Sequence, residues 1–295
     1  MRKSADIARR TLSPASAFLL FSQSAIVVTG GAVRLTSSGL GCPTWPECVP
    51  GSYTPVPNQA EGQFHAWIEF GNRLLTFVLV LSALITLIAV LKSGRRDLRI
   101  LAVGQFLGIF AQGVLGGVTV LTNLNPFAVA SHYLLSTILI AAAVSLYTRR
   151  HIPGIKKTSH RQSDLFSRWH VVLAFIVVVL GTILTGAGPH AGDVDAPRID
   201  LRIQTAALMH GLAVIFLLLL TITFYRADKT GRETKELLVK FFLISIAQGG
   251  IGFIQYLQGV PELLVAIHLV GAVLVWIGAW KIWLSVQRQE MDTAR

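Results

Sequence analysis

Long apolar runs, separated by short polar segments, make up most of the chain. A run of about 20 apolar residues is needed to cross a hydrocarbon core roughly 30 Å thick. Runs of this length occur eight times, and each is predicted to form a membrane-spanning helix. Their approximate bounds are 15–34, 64–91, 99–121, 126–147, 168–186, 203–225, 237–257 and 261–286. The predicted fold class is an all-α integral membrane protein.

An internal repeat divides these helices into two sets of four. The tripeptide Ala-Gln-Gly occurs around Gln112 and again around Gln248, 136 residues later. Each glutamine lies 20 residues before a histidine, His132 in the first case and His268 in the second. Repetition at a fixed offset indicates duplicated structure. Two pseudo-symmetric four-helix bundles are therefore predicted, with the two glutamines bridging helices by hydrogen bonds.

A second pair of positions, Asn72 and His210, recurs at an offset of 138 residues. It places a polar residue in the second helix of each set. The predicted domains are 1–150, with the first four helices, and 151–295, with the last four. A longer basic segment, 148–167, joins them.

Composition agrees with a membrane protein and argues against a nucleic-acid partner. The 295 residues are 53% hydrophobic and only 14% charged, whereas soluble domains are about 25% charged. The net charge of +11 comes from Lys and Arg in short loops between the apolar runs. Membrane topology explains that placement, so the expected partner is the lipid bilayer.

The same basic residues predict the orientation in the membrane. With the N-terminus inside, 22 of the 26 Lys and Arg residues lie on the cytoplasmic side, as the positive-inside rule requires. Both termini are therefore expected to be cytoplasmic, and loops 35–63 and 186–202 to face outward. No transit peptide precedes the first helix, so a bacterial cell membrane is the expected location.

Histidines inside the membrane are the main candidate functional residues, because ionisable side chains are costly there. His210 and His268 lie about two turns inside helices that start at the predicted outer surface, so they share one depth. Two imidazoles at one depth can take both axial positions of a heme iron. The alternative is a hydrogen-bonded packing pair. His170, at a helix start, has no partner evident from the sequence.

The first half carries a less symmetric set of polar residues. His132 is the equivalent of His268 and is a candidate iron-facing residue. Its expected partner position is Asn72, which is a poor iron ligand. His65 lies seven residues earlier on roughly the same helical face. It is a candidate substitute ligand, an interfacial histidine or a substrate contact.

Glu69 and Arg73 flank Asn72 on the same predicted helix. Their spacing of four residues allows an ion pair on one helical face. Such a pair can simply hold the helix. Alternatively, a buried carboxylate beside a cofactor can relay protons or stabilise developing positive charge.

The only cysteines, Cys42 and Cys48, lie in an outer loop that contains Pro43 and Pro46. No histidine pair follows at zinc-finger spacing, so zinc is not expected. In an outward-facing loop a disulfide is favoured. The wide spacing does not match a Cys-x-x-Cys redox motif, although thiol exchange remains an alternative.

Four features resemble the heme A synthase family over nearly the whole chain. They are the duplicated histidines and three motifs: Ser-Gly-Leu-Gly-Cys-Pro-Thr-Trp-Pro-Glu-Cys (38–48), Ile-Glu-Phe-Gly-Asn-Arg (68–73) and Thr-Gly-Ala-Gly-Pro-His-Ala-Gly (185–192). The resemblance implies an eight-helix membrane oxidoreductase that converts the C8 methyl of heme O into the formyl group of heme A. It also implies a functional neighbour, the farnesyltransferase heme O synthase, and an external electron acceptor. It is compatible with a homo-oligomer.

The resemblance also implies residue roles. His210 and His268 would hold a heme b cofactor. His132 would be an axial residue for the substrate heme O, in the half that also carries His65 and Arg73. Glu69 would be the carboxylate important for catalysis, and Cys42 and Cys48 would match the family's outer-loop pair.

One position departs from the family pattern. The family usually has Glu-x-x-His-Arg on the second helix, whereas this chain has Asn72 in place of that histidine. The substrate iron would then be five-coordinate on His132, or bound by His65 from above, or bound by a water held on Asn72. A rival reading of the whole chain is a bis-heme b electron-transfer cytochrome, which would require two symmetrical histidine pairs.

Overall fold

The computed structural model describes residues 2–151 and 161–292, so part of the predicted 148–167 segment lies outside the described residues. Eight long α-helices account for most of the described chain. They are α1 (Arg2–Leu35), α2 (Gln63–Lys92), α3 (Arg99–Leu121), α4 (Pro126–Arg149), α5 (Arg161–Ala187), α6 (Ile203–Arg226), α7 (Arg232–Leu257) and α8 (Glu262–Asp292). Each contains a segment long and apolar enough to cross a membrane. The predicted all-α membrane fold is confirmed, whereas the orientation of the termini stays a prediction.

Several helices begin before the apolar run that predicted them. Helix α7 begins at Arg232, five residues before its predicted start, and α5 begins at Arg161. Polar residues such as Lys, Arg and Glu are good helix formers. In the first turn of α7 an ion pair of 3.0 Å joins Arg232 to Glu236, four residues later. The polar turns therefore continue the helices beyond the apolar spans.

The chain divides into two compact units. The first contains the residues up to Tyr147 together with Thr185–Leu201, and the second contains Thr148–Leu184 and the residues from Arg202 onward. Each unit thus contains most of four long helices.

The first unit has an apolar core, within which the buried side-chain amides of two glutamines link three helices. Leu79, Leu98 and Ile109 are among its buried side chains. The Gln23 amide of α1 donates to Gln105 Oε1 of α3 at 2.9 Å, and Gln105 in turn donates to a backbone carbonyl of α4. Buried amides of this kind link neighbouring membrane helices by hydrogen bonds.

The segment Thr185–Leu201 belongs to the first unit because α1 holds it. Arg34, in the last turn of α1, donates to the carbonyl oxygens of Thr185, at 2.8 Å, and of His190. Just beyond α1, the Gly39 amide donates to the Gly192 carbonyl at 2.8 Å.

The second unit buries a histidine among aromatic rings. His170 of α5 is fully buried, and its Nε2 lies 3.1 Å from the Thr221 hydroxyl oxygen. Its ring meets Phe241 edge-on, with the ring centroids 4.6 Å apart. The structure therefore provides the partner that the sequence did not reveal, and this histidine is part of the packing between helices.

Candidate functional site

His210 lies against a glycine of the neighbouring helix. It is seven residues into α6, about 10 Å along the helix axis. A Cβ built on Gly181 of α5 would lie 3.1 Å from Cε1 and 3.4 Å from Nδ1 of the imidazole. Nδ1 is 3.1 Å from the Val177 carbonyl oxygen. A proton on Nδ1 satisfies that contact and leaves the Nε2 lone pair available to a metal.

His268 has the same arrangement on the other pair of helices in this unit. A Cβ on Gly252 of α7 would lie 2.9 Å from Cε1 and 3.3 Å from Nδ1 of its ring. The amide of Gln248, one turn earlier, donates to the His268 backbone carbonyl at 2.5 Å. Nδ1 is buried near the Gln248 carbonyl, and no described group completes a hydrogen bond of normal geometry with it. His210 and His268 both belong to the second unit.

His132 repeats this geometry in the first unit. A Cβ on Gly116 of α3 would lie 3.4 Å from Cε1 of the His132 ring. The Gln112 amide donates to the His132 carbonyl at 3.1 Å and to the Ser136 hydroxyl at 2.6 Å. Nδ1 of His132 is buried and has no hydrogen-bond partner among the described residues. The repeated glutamines therefore hold the backbone of the repeated histidines.

Asn72 occupies the fourth position of this kind. A Cβ on Gly30 of α1 would lie 3.8 Å from Asn72 Nδ2. The Thr29 hydroxyl lies 2.8 Å from Asn72 Oδ1. Four polar side chains thus each face a glycine on the preceding helix; we call them the glycine-backed positions: Asn72, His132, His210 and His268.

These positions fit a flat iron porphyrin. The imidazoles present their Cε1–Nδ1 edge to the glycine, and Nε2 is the ring nitrogen farthest from that helix. Within the second unit, paired imidazoles match the bis-histidine ligation of heme iron. Glycine at these positions lets each imidazole pack closely on the neighbouring helix, so that Nε2 is the nitrogen left for a ligand on the other side. The first unit offers a single imidazole, that of His132, at its equivalent site.

Glu69 is a buried carboxylate on α2, with 6% of its surface exposed. One oxygen accepts from the Cys42 backbone amide at 2.7 Å, and the other accepts from Arg73 at 2.5 and 3.0 Å. Arg73 also donates to the carbonyls of Cys42, Thr44 and Glu47 at 2.7, 3.1 and 3.2 Å. The ion pair that the spacing predicts therefore forms, and it anchors loop 35–63 to α2.

The predicted disulfide is confirmed, and it lies within this anchored loop. Cys42 and Cys48 are bonded to each other and fully buried. A Cβ on Gly41 would collide with the backbone of α2, so only glycine allows the loop to approach this closely. Trp45 packs on Gly117 of α3, where an added Cβ would lie 2.5 Å from the indole. The loop therefore covers the ends of α2 and α3.

His65 lies at the start of α2, near this loop. Its Nδ1 is 2.9 Å from the Ser38 hydroxyl oxygen. It precedes Asn72 by seven residues, about 10 Å along the helix. Its ring therefore contacts Ser38 at the N-terminal end of α2 and does not lie at a glycine-backed position.

The glycine backing was not predicted from the sequence, although a signal for it exists. Gly116 and Gly252 each follow a repeated glutamine by four residues. Residues four apart share a helical face, so the spacing could have identified the surface on which each histidine lies.

Comparison with known proteins identifies a matching family. The COX15-CtaA family model, described as cytochrome oxidase assembly protein, matches residues 15–192, more than half of the chain. The match includes Glu69, Asn72 and His132 and ends before His210 and His268.

Three curated relatives illustrate the similarity. A heme A synthase from Geobacillus kaustophilus is 31% identical over 110 residues, covering 36% of this chain and 32% of the relative. One from Shewanella oneidensis is 29% identical over 203 residues, with coverages of 64% and 60%. One from Bartonella tribocorum is 26% identical over 324 aligned positions, with coverages of 89% and 88%. The chain spans about a third of the length of the relatives from Geobacillus and Lysinibacillus.

The fold and sites define a multi-pass helical membrane protein with glycine-backed intramembrane histidines. The extent of the family match goes further: the chain belongs to the COX15-CtaA family of cytochrome oxidase assembly proteins. Its relatives of this kind are bacterial, and the protein is accordingly a multi-pass protein of a bacterial membrane.

Proposed function

We propose that this protein is a heme A synthase, an oxidoreductase that converts the C8 methyl of heme O into a formyl group. The family membership and the names of the relatives support this activity. The observation that carries the proposal is the position of Glu69. It lies three residues before Asn72 on α2, so a buried carboxylate sits one turn from a glycine-backed position on the same helical face.

In this proposal the first half holds the substrate. His132 would hold the iron of heme O, and Glu69, one helical turn from Asn72, would supply the carboxylate that acts on the substrate. Arg73 holds the carboxylate in place and balances its charge. His65 lies at the predicted outer end of the same half, where it can contact the substrate periphery.

The second half holds the cofactor. His210 and His268 bind heme b, which supplies one-electron transfer when bound. The Val177 carbonyl contacts the imidazole of His210, and Gln248 holds the backbone that carries His268. This half then orients a redox group and keeps it away from bulk water.

The reaction oxidises the methyl in two stages. Successive hydroxylations give a hydroxymethyl group and then a geminal diol, which loses water to form the aldehyde. With water as the oxygen source, the methyl and one net water give the formyl group, four protons and four electrons. The electrons pass to an external acceptor. Glu69 accepts protons at the methyl or stabilises positive charge that develops there.

The proposed partners follow from the substrate. Heme O comes from a farnesyltransferase, the heme O synthase, and both hemes are apolar enough to travel in the lipid bilayer. The proposal allows a homo-oligomer but does not require one.

The test is expression in a bacterial host that makes heme O and lacks heme A, followed by pigment extraction and mass analysis. Wild-type protein should produce heme A, and Glu69→Gln should lower its yield at least about a hundredfold, since general acid–base groups contribute about 10²–10⁴-fold. Glu47→Gln is the matched control, because this carboxylate lies in the loop that Glu69 anchors and accepts a local hydrogen bond from the Gly51 amide.

Two results would contradict the proposal. Full heme A yield from Glu69→Gln at normal protein level would remove the role of this carboxylate. Wild-type protein that carries only heme b, while the host's heme O stays unconverted, would favour the bis-heme b electron-transfer cytochrome.

A further inference from the structure

We infer that the first-half iron site is a one-histidine site, whose open position beside Asn72 takes a small neutral ligand such as water or carbon monoxide. The inference rests on the proposed function, in which the first half holds heme O. It goes beyond that function by assigning a second, exogenous ligand site to the substrate iron.

The internal repeat carries the first step. Asn72 faces Gly30 of α1 in the first unit as His210 faces Gly181 of α5 in the second. The first two helices of each half therefore form the same arrangement, in which a glycine of the first helix faces a polar side chain of the second; we call this arrangement the frame. In the second half this frame presents an imidazole, whereas in the first half it presents a carboxamide.

The contacts behind the two side chains support the same correspondence. In the second half, His210 Nδ1 bonds to the carbonyl of Val177, four residues before Gly181. In the first half, the carbonyl four residues before Gly30 is that of Ile26, and the Thr29 hydroxyl lies 3.2 Å from it. Thr29 is also the residue that contacts Asn72. Thr29 and Asn72 together thus reach the Ile26 carbonyl, whereas in the second half one imidazole reaches the corresponding Val177 carbonyl.

This replacement leaves room at the iron. A carboxamide is shorter than an imidazole, and Asn72 Oδ1 is already engaged by Thr29 at 2.8 Å. Amide groups are weak ligands for iron, for which imidazole and thiolate are the usual protein ligands. Opposite His132, Thr29 and Asn72 therefore provide hydrogen-bonding groups rather than an iron ligand. Such groups can hold a small molecule at the iron.

The other histidines of this unit lie elsewhere. His65 is bonded to Ser38 near the start of α2, two turns from Asn72. The backbone of His190 is bonded to Arg34, which lies one turn beyond Gly30 on α1. Neither is held at the glycine-backed position opposite His132.

Carbon monoxide binding tests the inference on purified full-length protein with its heme content measured by extraction. Six-coordinate bis-histidine heme has no free position, whereas a one-histidine heme binds the gas. In the reduced wild-type protein, we expect about half of the total heme to react, judged by the absorption change. Asn72→His should lower the reactive fraction at least about tenfold and convert the first-half heme to low spin.

The mirror substitution is the matched control. His210→Asn gives the second half the residue of the first, and it should make the second-half heme reactive. If the Asn72→His protein does not accumulate, His65→Ala and His190→Ala test instead whether another histidine is the sixth ligand of the first-half iron. Neither should increase the reactive fraction, because neither side chain is the sixth ligand.

The outcomes separate this inference from the proposed function. The inference would be overturned if the heme bound through His132 does not bind carbon monoxide in wild-type protein and binds it only after His65→Ala or His190→Ala. The proposed function would not be affected by that result. An unchanged reactive fraction in a folded Asn72→His protein would also overturn the inference alone. Absence of any heme that depends on His132 would overturn both together.

Discussion

The two halves of this protein share a frame and differ in what the frame carries. Both place a glutamine on the carbonyl of a histidine 20 residues later, and both back their polar side chains with glycine. With Asn72 aligned to His210, the position of Glu69 corresponds to Ala207 and that of Arg73 to Gly211. The first half thus has a carboxylate and its cation where the second half has a methyl group and a glycine.

This difference separates two tasks that one duplicated bundle can perform. A heme held by two histidines has both axial positions filled, which suits electron transfer or a structural role. A site with one histidine, a polar neighbour and a buried carboxylate has the groups needed for chemistry on its ligand. The Cys42–Cys48 loop, which Glu69 and Arg73 anchor, belongs to the first unit. The described residues of the second unit contain no disulfide loop of this kind.

The largest effect in the second half is expected from Gly252→Ala. The new Cβ would lie 2.9 Å from Cε1 of His268, too close for two carbon atoms, so the imidazole or the helix would have to shift. If His268 is an axial ligand of heme b, as proposed, this shift should lower heme b retention about tenfold, in the range typical for disturbed metal-ligand support. The measurement is heme b per protein after purification.

Gly250→Ala is the control, since a Cβ there meets open space on the same helix. It should leave heme content unchanged. Equal heme loss in both variants would mean that α7 is sensitive to any alanine, and the glycine backing would lose its assigned role.

Breaking the buried ion pair of the first half is expected to lower stability rather than heme content. Arg73→Gln leaves Glu69 buried without its cation and removes the donor shared by three loop carbonyls. Removing one partner of a buried pair costs about 3–5 kcal/mol, and the partial exposure of Arg73 places this case nearer 2 kcal/mol. The readouts are thermal stability in detergent and protease cleavage within loop 35–63.

Arg232→Gln is the control, because Arg232 and Glu236 form an ion pair of the same four-residue spacing on an exposed helical turn. Such surface pairs contribute about 0.3–0.5 kcal/mol. A similar loss of stability in the two variants would show that Glu69 is not held in a buried environment.

The smallest effect is expected where the halves are alike. Gln248→Leu and Gln112→Leu each remove a hydrogen bond to a histidine carbonyl, worth about 0.6–1.7 kcal/mol in membrane helices. Both variants should be destabilised, as measured by unfolding in detergent, and Gln112→Leu somewhat more because it also loses the bond to the Ser136 hydroxyl. Gln204→Leu, at an exposed position on α6, should have no effect. Destabilisation confined to one half would break the equivalence of the two frames.

The periodic features of the sequence predicted the fold well, because apolar length alone identifies a membrane helix. The repeat of Gln112 and Gln248 also identified the histidine helices. The association of Thr185–Leu201 with the first unit was not predictable, because it depends on Arg34 reaching backbone carbonyls, which have no sequence signature. For the same reason, the Glu69 bond to the Cys42 amide emerged only from the three-dimensional structure.

The central claim is that the first half holds substrate heme through His132 and the second half holds heme b through His268. The most direct test is to purify His132→Ala and His268→Ala from a host that makes heme O and to identify the extracted hemes by mass. We predict that His132→Ala loses heme O and heme A and keeps heme b, whereas His268→Ala loses heme b. Loss of the same heme in both variants would contradict the division of tasks between the halves.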